Sequence, residues 1–164
     1  MGIPMATRTA SGTESFSRLK VSNGEQDDEN PNEAVAREKF QSIARDANAA
    51  YRNAMAQTSM ISDADRREFT SSLFNESMWL ERGKNTYEER IEDVRSTITY
   101  YLPDLVQKLQ LQEDQFNTQI EHALRQKWIS SASRDKWIAR LKDSNVHHWK
   151  KEQFLTETFP GWYR

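Results

Sequence analysis

Enzyme sites and metal sites are commonly built from histidine, cysteine or converging carboxylates, and this sequence is sparing with the first two. It contains no cysteine, which removes thiolate nucleophiles, disulfides and cysteine-based zinc sites. Its three histidines are His122, His147 and His148. None forms a His-x3-His pair, and adjacent His147 and His148 would point about 100° apart on a helix, so a shared metal is not expected. Glu88, Glu89, Glu92 and Asp93 have the i, i+4 spacing with which facing carboxylates hold metals inside helical bundles. Tyr87, Ile91 and Val94 take the inward stripe of that segment, however, which turns the acids toward solvent. Phosphate-binding glycine loops, a G-x-S-x-G elbow and an H-E-x-x-H pair are all missing. No catalytic, cofactor-binding or metal-binding residue is nominated, no cofactor is expected, and an enzyme is the less favoured class.

Charge distribution carries more information. Residues 1–121 hold 14 Lys and Arg against 21 Asp and Glu, a net of −7, whereas residues 122–164 hold 9 against 4, a net of +5. In that basic third, Arg125, Lys127, Arg134, Lys136, Arg140, Lys142, Lys150 and Lys151 interleave with Trp128, Trp137 and Trp149. Cations among aromatics can hold phosphates and stack bases. The whole chain is nevertheless slightly acidic, with a net charge of −2, unlike most dedicated nucleic-acid binders. An ordinary amphipathic helix would bury the three tryptophans beneath solvated cations. An acidic protein partner, or the chain's own acidic amino-terminal run, suits the same residues equally well. The carboxyl end adds Phe159, Trp162 and Tyr163, which either dock on the fold or stand out as an interface anchor.

Helices must position all of these groups. From Asn32 to Phe159 the only chain-breakers are Gly83 and Pro103, and such a long interval without them favours helix throughout. Apolar residues recur at three- and four-residue steps in Ala36, Phe40, Ile43, Ala47, Ala50, Ala54 and again in Tyr87, Ile91, Val94, Ile98, Tyr101, Leu105, Leu109. Neither sustained alternation nor a hairpin turn between β-rich runs argues for strands. Capping chemistry sets the boundaries. It places a first helix over about 31–57 behind Asn30-Pro31 and a second from Ser62 to about residue 82, stopped by Gly83. A third starts after Asn85 or Thr86, another at Ser130 or Ser131, and a last spans about 146–158. Apolar phase runs through Pro103 (Ile98, Leu102, Leu105, Leu109, Phe116, Ile120, Ala123), favouring a kink or very tight junction over a reversal.

Two stretches resemble each other at an offset of 68: Ile61/Ile129, Ser62/Ser130, Ala64/Ala132, Arg66/Arg134 and Leu73/Leu141 are identical, and Phe69 and Trp137 are both aromatic. They read as two related helical hairpins, with convergent capping as the competing explanation.

Residues 1–30 are rich in Ser, Thr, Gly and Asn and end in the acidic run Glu25-Gln26-Asp27-Asp28-Glu29. So little apolar surface cannot offset ordering entropy, and a disordered tail is expected. A chain of 164 residues is sized for one domain, placed over 31–164. The chain's seventeen aromatics, all but Phe16 within that domain, make a core affordable. The expected architecture is thus an all-α bundle of five or six helices behind a tail. No apolar run reaches the roughly 18 residues of a membrane span and no signal peptide is evident, so cytoplasm is the default compartment, with signal-less secretion left open. The opening Met1-Gly2 fails as a myristoylation site because Ala6 stands where Ser or Thr is needed. By elimination the expected function is a non-catalytic helical protein-protein interaction module (adaptor, scaffold or effector-like). The alternative is nucleic-acid binding through residues 122–151. Oligomeric state is not legible.

Overall fold

The computed structural model describes residues 31–159, and these form six continuous helical segments with no strand. In order they are α1 (Pro31–Gln57), α2 (Asp63–Ser72), α3 (Glu76–Glu81), one long helix, α6 (Ser131–Leu141) and α7 (His148–Thr158). The long helix consists of α4 (Tyr87–Ser96), a π-helical turn (Thr97–Tyr101) and α5 (Leu102–Arg125). The all-α bundle of five or six helices is what the structure shows. The expected tail over residues 1–30, the Asn30 cap, Trp162 and Tyr163 lie outside the described residues. The chain divides into two units, Met1–Arg37 and Glu38–Arg164. Of the first, only the opening of α1 is described; both cores, the groove and the basic surface belong to the second.

Helix starts follow local chemistry. Ser62 caps α2 by accepting from the Asp65 amide, and Asp65 accepts from the Ser62 amide in return, the reciprocal arrangement of a capping box. Thr86 and Glu89 repeat that box at the start of α4, and Ser130 accepts from the Ser133 amide at the start of α6. The expected stop at Gly83 is a Schellman motif: Gly83 has φ +76°, its amide reaches Leu80 O and the Lys84 amide reaches Trp79 O. An identical motif ends α5, where Lys127 takes the left-handed conformation (φ 64°) and the Trp128 amide reaches Ala123 O.

Two expectations about helices change. The second helix does not run to residue 82; it breaks at Leu73, and Asn75 caps a new start by accepting from the Met78 amide. The break frees the Leu73 carbonyl for the Trp79 indole N–H at 2.8 Å, so Trp79 is buried with its polar atom satisfied. As expected from the unbroken apolar phase, the chain does not reverse at Pro103, which lies inside the long helix. Lacking an N–H, this proline follows a π-helical turn in which the Leu102 amide reaches back to Thr97 O. The wider turn shifts the apolar phase, so Leu102 is buried and Tyr101, expected on the inward stripe, is 54 % exposed.

Two apolar clusters are strung along α1. Phe40, Ile43, Ala44 and Ala47 meet Leu73, Trp79, Ile91 and Val94. Further along, Tyr51 and Ala54 join Met60, Ile61, the α5 face from Leu102 to Ile120, and Leu141, Leu155 and Phe159. Phe69 packs against both. Each fully buried large apolar side chain contributes roughly 1.5–3 kcal/mol.

The paired hairpins have parallel construction. Five residues, 58–62 and 126–130, separate a long helix from a Ser-capped short one in each, and Leu73 and Leu141 are both buried. They differ where Asp65 has Ser133 as its counterpart, and where fully buried Met60 corresponds to exposed Trp128.

Candidate functional site

A buried polar junction joins the ends of four helices. Asp65 is 6 % exposed and accepts from the Ser62 amide (2.9 Å), the Ser62 hydroxyl (3.2 Å), the His148 amide (3.1 Å) and His148 Nδ1 (2.9 Å). Burial works against its charge, but the His148 imidazole and the surrounding amides outweigh it and hold the carboxyl below the usual carboxylate range. His147 is the N-cap of α7 but makes no capping bond with its side chain. Asp65 thus serves two helix N-termini, its own and that of α7. Glu113 of α5 performs a similar service on the α1–α2 link, accepting from Thr58 Oγ1 (2.8 Å), the Ser59 amide (3.2 Å) and the Ser59 hydroxyl.

Lys151 completes this junction and leaves the basic surface. Expected among the solvated cations, it is 1 % exposed, and its Nζ donates to Leu141 O (2.6 Å) and Ser59 O (2.9 Å). Leu141 is the last residue of α6, so the ammonium meets a carbonyl at the negative end of that helix. Burial lowers its pKa, opposed by the more distant charges of Asp65, Asp143 and Glu113. Asp65, Glu113 and Lys151 each tie helix ends or links together.

The acids of α4 are deployed on the surface as expected. Glu89 caps, Glu92 pairs with Arg95 at 2.9 Å, and Asp93 meets Arg82 at 3.4 Å. Among the described residues no three His, Asp or Glu side chains gather as metal ligands. No described helix is long and apolar enough to cross a membrane.

An open groove of about 280 Å³ runs between α1 and the start of α5. Its floor is apolar, with Ala50 and Ala54 on one side and Ile98, Leu102, Pro103 and Val106 on the other; its rim is Asn53, Gln57, Gln107 and Gln110. Small side chains on α1 and the widened π turn together leave this space. Gln110 spans the rim, donating to Gln57 O at 3.2 Å. Tyr100, in the adjacent π turn, is exposed.

The remaining nominated cations lie on α5, α6, α7 and their links. Arg125, Lys127, Lys136, Arg140, Lys142 and Lys150 are exposed. Arg134 is half-buried and pairs with Glu121 (3.6 Å) and Asp135 (3.2 Å). Arg140 lies over the Phe154 ring at 4.6 Å. The tryptophans do not all sit beneath these cations. Trp137 packs on the core, but Trp128 is 70 % and Trp149 53 % exposed. Of the two alternatives for the carboxyl end, Phe159 takes docking and is not available as a partner contact: it is 5 % exposed and meets Phe116, Trp137 and Phe154 edge-on.

No protein-family model, curated protein or solved structure matches this chain. Functional inference therefore rests on these surfaces. Sequence reasoning missed the groove, whose two walls are separated by some forty residues and whose π turn has no simple signature beyond Pro103. It also missed Asp65, whose second role at the start of α7 depends on a residue 83 positions away.

Proposed function

We propose that this protein is a non-catalytic helical interaction module, and that the α1–α5 groove receives an apolar helix from a protein partner. The single observation that carries this reading is the groove itself: an apolar floor left open between two helices of a packed bundle, edged by four neutral amides. A groove between two helices accepts the apolar face of a third, the helix-in-groove mode of recognition. Asn53, Gln57, Gln107 and Gln110 then supply hydrogen bonds without charge, so the partner is apolar with a neutral polar flank. An adaptor or scaffold role, a single helical domain behind an amino-terminal tail, and residence in the cytoplasm belong to the same proposal.

A photoreactive amino acid placed at Gln107 tests it in the native cell, beside a control probe at exposed Arg95 on α4. The expected result is a discrete adduct from Gln107 that is retained at high salt and abolished by Ala50→Leu, which fills the groove floor. Equal labelling from both positions, or none from Gln107, overturns the reading.

A further inference from the structure

Independently of the groove, residues 122–151 expose two tryptophans and several cations that form no ion pair with any described residue. Trp128 sits in the α5–α6 link, directly after the left-handed Lys127, and its ring neighbour is His122, edge-on at 5.4 Å. Trp149 lies in the first turn of α7, with Lys150 Nζ 5.5 Å from its ring centroid and His147 at 6.4 Å. Between the two in sequence runs α6, whose 11 residues span about 16 Å. Along it and its flanks Arg125, Lys127, Lys136, Lys142 and Lys150 are exposed and form no ion pair with any described residue. The acids nearby are mostly committed: Asp135 to Arg134, Glu152 to Lys108, and Asp143 to the Asn145 amide.

We infer that these side chains form one surface that binds single-stranded nucleic acid, with Trp128 and Trp149 stacking bases and the lysines neutralising the intervening phosphates. Uncompensated positive charge supplies the attraction, and flat rings offered to solvent supply the rest. An acidic peptide would use the cations and leave both indoles idle. An anionic lipid surface would need apolar side chains to insert, yet across residues 122–159 the two indoles are the only exposed large apolar groups among the described residues. Parallel construction of the two hairpins sharpens the point. Met60 is fully buried at the place where Trp128 projects into solvent, so no packing requirement of the hairpin puts an indole there.

The test is a titration of the full chain with a labelled oligothymidylate of about 16 nucleotides, the upper end of ordinary single-strand site sizes. Polyglutamate and anionic lipid vesicles serve as the other polyanions. Binding that quenches tryptophan fluorescence and weakens steeply with salt is expected. Trp128→Ala and Trp149→Ala should each lose roughly tenfold in affinity, while Lys136→Gln and Lys150→Gln should lower the salt slope by about one each. The exposed positions of these side chains leave the fold intact, which circular dichroism checks. No retention at low salt overturns the inference. Equal affinity for polyglutamate with indifference to both tryptophan substitutions overturns it in favour of an acidic protein, and binding to vesicles alone in favour of a lipid surface.

Discussion

Asp65 and His148, 83 residues apart, are joined by three hydrogen bonds: the carboxylate receives the backbone amide of His148 on both oxygens and the imidazole Nδ1 on one. Because Asp65 also closes the capping box of α2, one side chain secures the beginnings of two helices. Removing it exposes several buried donors at once. Asp65→Ala should destabilise the fold by about 2–4 kcal/mol, two caps at about 1 kcal/mol each plus the desolvated amides left behind. His148→Ala keeps the backbone bonds and should cost much less. Urea unfolding of the two variants and their double mutant measures the difference; equal effects would show that the imidazole, not the amides, carries the junction.

Acid should act through the same carboxyl. Since its folded-state pKa lies below its unfolded one, the stabilisation is fully present above the ordinary Asp value of about 3.9 and is lost as pH falls through the depressed value. Stability of the wild type should therefore fall on acidification below about pH 4. Asp65→Asn, less stable at neutral pH, should show a shallower acid limb. Thermal unfolding followed between neutral and strongly acidic pH decides it, and parallel curves would remove Asp65 as the source.

Lys127 holds a conformation that suits glycine. Its φ of 64° repeats, at the end of α5, what Gly83 does at the end of α3. Lys127→Gly should raise stability by about 0.5–1 kcal/mol, and Gly83→Ala, which meets no neighbouring atom but keeps the positive φ, should lower it by a similar amount. Chemical denaturation reads both. A stabilising Gly83→Ala would mean that the turn relaxes out of the left-handed region.

Lys151→Met preserves the buried stem and removes the ammonium. Leu141 O and Ser59 O then lose their donor, and a loss of about 1–3 kcal/mol is expected. Relief from burying a charge works the other way, so a neutral result would assign the lysine to specificity of packing and not to stability.

Phe159→Ala should cost about 3–5 kcal/mol, because the ring is enclosed by Phe116, Trp137 and Phe154. Hydrogen exchange in α6 and α7 should rise before that in α4. An unchanged unfolding midpoint would place Phe159 back among exposed anchors.

Much of the fold is legible in the linear order of residues. The helical period, the starts at Ser62, Thr86 and Ser130, and the stop at Gly83 follow from interactions within about four positions of each other, which sequence spacing encodes directly. The list of cations that could meet an anionic partner is legible in the same way, because charge is a property of the residue. Exposure is not. Lys151 and Lys150 are chemically alike neighbours, yet one is sealed against two carbonyls and the other faces solvent, since that choice depends on what α6 and the α1–α2 link place opposite them. Tyr101 left the inward stripe because a π turn before Pro103 shifted the phase, and Phe159 was drawn in by three aromatics from three helices. Asp65 became a cap for α7, and the groove opened between α1 and α5, only when segments far apart in the chain came together. Local physics wrote the helices; their long-range packing decided which side chains remained available to bind.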